Sequence, residues 1–287
     1  MSDLQGLQAL LIRPKPILQV IGGGTGESLS EEVKEEGKGT DLFNRYLSDQ
    51  GAAIYHCPVM VVSSLETPPN VDQIKAYILD FAHYDRAVFI SRTAARLAMN
   101  WLEQYCVMVP EGLPMNMHYY AVGKSTANTL LDWGVKAELP EKAFSSEGLL
   151  KLPSLQDLSG EKIIIFCGEG GRSLLSEALT ARGATVSRCE LYQRQITREY
   201  AEQINSLLSA NQLDLVIAHS GELLSHLLEV VDKQQQFALR MLPLLVPSER
   251  VEKFAKEVGF KEVVCAGSAL PEDMVSALRG WYSSKKG

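Results

Sequence analysis

"IIIFCGEGGRSLLSEAL", residues 163–179, reads as an apolar run, a glycine turn and an amphipathic segment, the pattern of a parallel strand, a loop and a helix. A dinucleotide fingerprint needs glycines at the first, third and sixth positions, but after Gly168 and Gly170 the sixth position is Ser173. A P-loop needs a lysine after its last glycine, and none follows Gly171. The stretch therefore predicts either a helix N-terminus that binds another kind of anion or a plain strand-to-helix turn.

The same alternation of strand and helix patterns continues along the chain. Short apolar runs precede amphipathic segments at residues 86–105, 118–134, 213–231 and 243–259. This alternation is typical of parallel strands joined by crossover helices. We therefore predict an α/β protein made of two flavodoxin-like parallel-sheet domains joined by a two-stranded linker.

Internal similarity indicates how the two domains share the chain. "QGAAIYHCPVMVV" resembles "RGATVSRCELYQR", and "AVFISRTAARLA" resembles "LVIAHSGELLSH", but the pieces follow in a different order. The shuffled order predicts that the opening unit completes a sheet with the C-terminal third of the chain, with a second domain inserted between them. The predicted segments are domain 1 at 1–54 and 197–287, domain 2 at 66–186, and paired linkers at 55–65 and 187–196. We expect a ligand cleft between the domains.

Composition excludes several classes of protein. Of the 287 residues, 46% are hydrophobic and 22% charged, which is ordinary for a soluble globular protein, and no apolar run is long enough to span a membrane. The N-terminal stretch has no secretory pattern, so we expect a cytoplasmic protein without a membrane partner. The net charge of -7 argues against nucleic acid as a partner.

Cysteines and histidines give no metal-binding pattern. The five cysteines are an odd number without Cys-x-x-Cys spacing, which predicts reduced thiols and no metal site. His219 and His226 lie seven residues apart, so a shared helical face is one interpretation, while surface or core histidines are the interpretation we favour.

Residues 22–40 interrupt the strand and helix pattern. This stretch holds five glutamates and six glycines with almost no apolar residues, so it contributes little to a core. We interpret it as a mobile surface insertion, with a functional lid as the alternative.

Eight stretches of the chain resemble the uroporphyrinogen-III synthase family in its bacterial form, and their order and spacing together carry the resemblance. They are "LIRP" (11–14), "AVGKSTA" (121–127), "SSEGLLKLPSL" (145–155), "GEGGRSLL" (168–175), "LTARGA" (179–184), "ELYQR" (190–194), "HSGELL" (219–224) and "VPSER", which ends at Arg250. The insertion at 22–40 departs from the family, in which the Arg-Pro turn leads into the first helix within a few residues.

The resemblance implies an activity. The family cyclises the linear tetrapyrrole hydroxymethylbilane to uroporphyrinogen III, inverting ring D with loss of water through a spiro intermediate, in heme biosynthesis. It implies a cyclising lyase without cofactor or metal. We expect a monomer whose partners are this substrate and, transiently, the enzyme that makes it.

The substrate carries eight carboxylates while the protein is acidic, so recognition needs local donors. Helix N-termini that follow strands provide N–H groups for carboxylates, although each serine there is equally well interpreted as a simple helix cap. The predicted substrate-binding residues are Arg13, Ser91, Gly123, Lys124, Ser125, Gly168, Gly170, Gly171, Arg172, Ser220, Gly221 and Ser248.

Two hydroxyl groups are the predicted catalytic groups. The resemblance maps the family's favoured tyrosine onto Tyr192, whose phenol is protonated at neutral pH and can act as an acid. An aromatic side chain that packs the linker strands is the alternative interpretation. Thr126 is the second candidate, as a hydroxyl donor to the substrate.

Two other functions compete with a synthase. Paired α/β domains also occur in binding or sensor proteins for small polycarboxylates, which bind without catalysis. A nucleotide-dependent enzyme is the third interpretation, and the failed glycine spacing argues against it.

Overall fold

The computed structural model describes residues 3–15, 43–105, 113–114, 116–141, 144–171 and 173–286. The predicted mobile insertion at 22–40 lies outside these residues. The chain forms two compact units, which we call unit 1 (Met1–Val62 and Gln195–Gly287) and unit 2 (Ser63–Arg194). Within the described ranges, no helix is both long and apolar enough to cross a membrane.

The chain starts in unit 1 and reaches unit 2 along a strand. The first elements are β1 (Gln8–Ile12), β2 (Pro14–Lys15), α1 (43–49 as described), β3 (Ala53–His56) and β4 (Met60–Ser64).

Unit 2 alternates strands and helices. Its elements are α2 (Asn70–Leu79), β5 (Arg86–Phe89), α3 (Arg92–Tyr105), β6 (His118–Ala121), α4 (Lys124–Leu131), α5 (Ser146–Leu149), β7 (Lys162–Gly168), α6 (Leu174–Ala181) and β8 (Thr185–Ile196).

Strand β8 carries the chain back to unit 1. The remaining elements are α7 (Ala201–Ser209), β9 (Leu215–Ala218), α8 (Gly221–Val230), α9 (Gln236–Met241), β10 (Leu244–Val246), α10 (Glu249–Glu257), β11 (Val263–Cys265) and α11 (Pro271–Lys286).

The sheet of unit 1 is parallel, with strand order β11-β10-β9-β1-β3. Numbered along the chain within the unit, this order is 2-1-3-4-5, the flavodoxin-like arrangement. Alternate residues of each strand point to opposite faces. Leu10 and Val216 pack in one hydrophobic cluster with α7, α8 and α10, whereas Leu11 and Ile217 pack in a second cluster with α1 and α11. Helices therefore cover both faces, as the continuous apolar strands predict.

The sheet that contains the strands of unit 2 has the order β2-β4-β8-β7-β5-β6. Strands β5 to β8 are parallel and have the order 2-1-3-4 across the sheet. Strand β4, which precedes them in the chain, takes the fifth position beside β8. On one face, Ile163 and Ile165 cluster with Leu175 and Leu179 of α6. The other face carries α3, which packs on β5 and β7. The predicted α/β fold class with parallel sheets is confirmed.

The internal similarity has a different origin from the one expected. Ser91 follows β5, the first strand of unit 2, whereas Ser220 follows β9, the third strand of unit 1. Cys57 follows β3, the second strand of the unit 1 sheet, whereas Cys189 lies in β8, which follows β5, β6 and β7 in unit 2. The matched pieces are therefore not equivalent in the two sheets. Ser91 and Ser220 share the role of helix cap, and Gly51 and Gly183 share a left-handed conformation at the end of a helix.

A largely buried cluster of hydrogen-bonded side chains lies at the amino-terminal ends of β5 and β7. The guanidinium of Arg86, which is 8% exposed, donates to both carboxylate oxygens of Glu161, from Nη2 at 2.8 Å and from Nε, and also to the Tyr120 hydroxyl. The hydrogen bond to Glu161 is the main cause that raises the pKa of Arg86. Breaking such a pair leaves the partner's charge partly buried without compensation.

We expect Arg86→Met to lower the free energy of unfolding by about 3 kcal/mol. The matched control is Lys256→Met, which breaks an exposed pair with Glu252 on α10 and should cost about 0.5 kcal/mol or less. Urea unfolding followed by circular dichroism measures both. Equal losses in the two variants would contradict a structural role for the Arg86 cluster.

Candidate functional site

Polar residues meet where β5 and β7 lie side by side in unit 2. The helices that follow these strands, α3 and α6, leave towards opposite faces of the sheet. A crevice forms at the carboxyl edge of a parallel sheet at such a point, and ligands of α/β proteins bind there. Ser91 follows β5 at this edge, and the glycine turn at 168–171 follows β7.

A β-bulge places Tyr192 in this crevice. Cys167 pairs with Glu190, but the next residue of β7, Gly168, pairs with Tyr192, so Leu191 is an extra residue in β8. A shift of one residue reverses the face to which the following side chains point. The Tyr192 ring then lies directly over Gly168, where an added Cβ would be 2.7 Å from the ring carbons. Gly168 is therefore the residue that leaves room for the phenol.

The hydroxyl groups of Tyr192 and Ser91 are hydrogen-bonded, with 3.0 Å between Oη and Oγ. Ser91 Oγ also accepts from the backbone N–H of Ala94 at 3.0 Å, so Ser91 caps α3. The phenol thus lies at the positive end of a 14-residue helix. The guanidinium carbon of Arg194 lies 6.0 Å from the centre of the Tyr192 ring and adds a second positive charge nearby.

Two residues of β8, Arg188 and Tyr192, contact the backbone of the glycine turn. The Glu169 N–H donates to the carbonyl oxygen of Tyr192 at 2.7 Å, and Arg188 Nη2 contacts the carbonyl oxygen of Gly171 at 3.3 Å. Arg188 also forms an ion pair with Glu190 at 3.0 Å. Gly170 has a φ of 66°, a left-handed conformation that favours glycine. The predicted binding residue Arg172 lies outside the described residues.

The start of α4 brings four predicted residues to the carboxyl end of β6. Gly123 is the N-cap, without a side-chain bond, and Lys124 and Ser125 are exposed in the first turn. Lys124 Nζ lies 5.3 Å from the centre of the Phe144 ring. Thr126 is only 3% exposed. The capping alternative for Ser125 is wrong, because this residue lies inside the helix and Gly123 occupies the cap.

A second polar site lies at the equivalent point of unit 1, between β1 and β9. The register pairs Ile12 with Ala218, so the residues that follow, Arg13 and His219, lie level with each other. Arg13 Nη2 is 3.1 Å from His219 Nε2. Ser220 caps α8 by accepting from the Leu223 N–H at 3.2 Å. Arg13 and Ser220 therefore share one crevice of unit 1.

Two other predicted binding residues, Gly221 and Ser248, lie at the N-termini of α8 and α10. A Cβ at Gly221, the first residue of α8, would lie 3.4 Å from the Phe254 ring of α10, which is an ordinary van der Waals contact. Ser248 is the N-cap of α10, but its side chain makes no capping bond.

His219 is held neutral by its surroundings. Burial, with the charge of Arg13 as a second cause, lowers its pKa from 6.5 to about 3. Partial desolvation and the charge of Arg13 also lower the pKa of His56. His56 lies on β3, where it pairs with Leu11 of β1. The unfolded protein therefore binds protons between pH 6.5 and 3 that the folded protein does not bind, and acidification through this range favours unfolding.

We expect the free energy of unfolding to fall by about 2 kcal/mol between pH 7 and pH 5 because of His219. Urea unfolding at the two pH values measures the difference. His219→Gln should remove most of this dependence, whereas His83→Gln, at an exposed position on the surface of unit 2, should leave it unchanged. The same pH dependence in His219→Gln as in the wild type would contradict the account.

Comparison with known proteins identifies the family. The model of the family described as "Uroporphyrinogen-III synthase HemD" matches residues 41–276. The chain belongs to this family. It is 32% identical to the uroporphyrinogen-III synthase of Escherichia coli (strain K12) over 244 residues, which cover 84% of this chain and 96% of that enzyme. It is 36% identical to the Salmonella typhimurium synthase over 173 residues, which cover 58% of this chain and 68% of that enzyme.

Solved structures support the same fold. A mutant uroporphyrinogen III synthase from Thermus thermophilus aligns with a TM-score of 0.63, covering 98% of this chain and 99% of that chain at 17% identity. The resemblance to the uroporphyrinogen-III synthase family that the sequence motifs indicate is confirmed.

Sequence reasoning misses several residues of these two crevices. His219 was interpreted as a surface or core histidine, although it directly follows a buried strand and precedes a capping serine, which is a signal for the crevice edge. Phe43 and Arg188 give no local signal, because the contacts of Phe43 with Arg13 and His219 and that of Arg188 with Gly171 join separate parts of the chain. Over the described residues, no group of three or more metal-binding side chains comes together.

Proposed function

We propose that this protein cyclises hydroxymethylbilane to uroporphyrinogen III, with inversion of ring D and loss of water, in heme biosynthesis. The observation that carries the proposal is the match to the uroporphyrinogen-III synthase family across residues 41–276, which includes parts of both units. The alignment with the Escherichia coli synthase covers 96% of the length of that enzyme. The reaction classifies the protein as a cyclising lyase.

Tyr192 is the proposed acid of this reaction. Departure of the substrate hydroxyl as water breaks a carbon–oxygen bond and requires one proton at the leaving oxygen. The Tyr192 phenol supplies that proton when Ser91 donates its own hydroxyl hydrogen to the phenol oxygen, since Ser91 Oγ can still accept from Ala94. Ser91, the N-terminus of α3 and Arg194 then stabilise the phenolate. The proton returns to Tyr192 when the cyclised product loses a proton.

Carboxylate binding is the proposed role of the residues at the carboxyl edges of both sheets. In unit 2, the backbone N–H groups that follow Ser91 and Gly123 provide donors at the starts of α3 and α4, and the glycine turn before α6 provides others. Thr126 adds a hydroxyl. In unit 1, Arg13 supplies a charged donor beside Ser220. Because the reactive bilane also closes unaided to the wrong isomer, holding the chain ends in one geometry is the larger part of catalysis.

Isomer analysis tests the proposed function. Hydroxymethylbilane is generated in situ, the protein is added, and the oxidised uroporphyrins are separated by chromatography. Heat-denatured protein is the control and yields the type I isomer. Mostly type III product supports the proposal, whereas only type I from folded protein contradicts it and leaves binding without catalysis as the explanation. The cytoplasmic location, the monomeric state and the transient contact with the enzyme that makes the substrate stay predictions.

A further inference from the structure

Arg13, Phe43 and His219 form a cluster in unit 1, which we call the Arg13 cluster. The guanidinium carbon of Arg13 lies 5.0 Å from the centre of the Phe43 ring, and its Nη2 is 3.1 Å from His219 Nε2. The His219 ring meets Phe43 edge to face, with 5.5 Å between the ring centres and an angle of 88°. Each member therefore contacts both others, and the three fix one another's orientation.

The contact with Arg13 determines which ring nitrogen of the neutral His219 imidazole carries the proton. A guanidinium only donates hydrogen bonds, so Nε2 of His219 must be the acceptor. The neutral imidazole then carries its proton on Nδ1. This nitrogen is shielded from solvent and has no hydrogen-bond partner within the described residues. Leaving a buried donor unsatisfied is unfavourable, so the bond at Nε2 rather than one at Nδ1 holds the ring in place.

Because the acceptor is the neutral imidazole of His219, the Arg13 guanidinium keeps its net positive charge. A carboxylate in the place of His219 would neutralise the guanidinium that it orients. The imidazole orients the same group and adds no negative charge, and the positive charge of Arg13 in turn opposes protonation of His219. The cluster lies at the carboxyl edge between β1 and β9, beside the capped N-terminus of α8, where an anion is favoured.

We propose that His219 is a positioning residue that orients the Arg13 guanidinium towards a carboxylate of the substrate. The inference rests on the proposed function and deepens it, since it explains how unit 1 contributes to recognition of a polycarboxylate. His219 acts through Arg13 and not on the reacting atoms. Its removal therefore weakens binding and leaves the chemical step intact.

Steady-state kinetics of four variants test this role. His219→Leu removes the acceptor at similar volume and should raise KM for hydroxymethylbilane about tenfold, with kcat changed less than about twofold. His219→Gln keeps an oxygen acceptor and should restore KM to within about threefold of the wild type. In an Arg13→Met background, His219→Leu should have almost no further effect on KM. An unchanged KM in His219→Leu, or an equal increase with and without Arg13, would overturn the proposal.

The tautomer is measured independently of activity. Nitrogen-15 NMR of the histidine rings in the wild-type protein should show His219 neutral and protonated on Nδ1, and Arg13→Met should change its Nε2 resonance most. A proton on Nε2 would overturn the proposal even if the variants failed to fold. If the wild type made no type III isomer, the proposed function would fail, while the NMR result would still decide whether His219 orients Arg13.

Discussion

Tyr192→Phe should lower kcat for type III formation about a hundredfold and change KM less than about threefold. The substitution removes only the phenol oxygen and leaves the ring over Gly168. The proton needed by the leaving hydroxyl then has no donor at this position, while the backbone donors that bind carboxylates stay in place. Rates from single turnovers with excess enzyme separate this chemical step from product release.

Tyr84→Phe is the matched control for Tyr192→Phe. Tyr84 is a buried tyrosine of the same unit, but it precedes β5 and lies at the opposite, amino-terminal edge of the sheet. We expect its kcat to equal that of the wild type. An unchanged kcat in Tyr192→Phe would remove Tyr192 from the role of acid and leave the packing interpretation of its ring.

Gly168→Ala should be the most damaging substitution of a small residue in unit 2. The added methyl group would lie 2.7 Å from Cε2 and Cζ of the Tyr192 ring and 3.1 Å from its oxygen. The ring is only 4% exposed, so it has little room to move. We expect a loss of about 1–3 kcal/mol in the free energy of unfolding and a kcat at least as low as that of Tyr192→Phe, because the bond to Ser91 is broken.

Gly280→Ala provides the control for the added methyl group. Gly280 lies on α11, where nothing is within 4 Å of an added Cβ. Alanine is the better helix former, so this variant should gain about 0.5–1 kcal/mol and keep its activity. Urea unfolding and the isomer assay measure both variants. Wild-type activity and stability in Gly168→Ala would contradict the placement of the Tyr192 ring.

Most of the fold could be predicted from local patterns in the sequence. Strand β7 reads as an unbroken apolar run because parallel strands are covered on both faces, and the turn at Gly168–Gly171 marks its end. The internal similarity between stretches of the sequence does not predict which strands of the two sheets are equivalent. Ser91 and Ser220 share a capping role, and a cap carries no information about which strand of a sheet precedes it.

The candidate site was predictable only where one residue carries its own signal. Ser91 follows a buried strand, and Tyr192 matches a motif of the uroporphyrinogen-III synthase family, so both were found. Their contact depends on the bulge after Cys167, which no periodicity shows because a bulge shifts the register by a single residue. The Arg13–His219 contact joins residues 206 positions apart, and only the pairing of β1 with β9 brings them level.

The most direct test of the catalytic site is a crystal structure with the oxidised product, uroporphyrin III. We expect the tetrapyrrole to bind at the carboxyl edge of the unit 2 sheet, with Tyr192 Oη within about 3.5 Å of an atom of the macrocycle and a carboxylate at the start of α3. A bound tetrapyrrole that contacts neither Tyr192 nor the N-terminus of α3 would contradict this expectation.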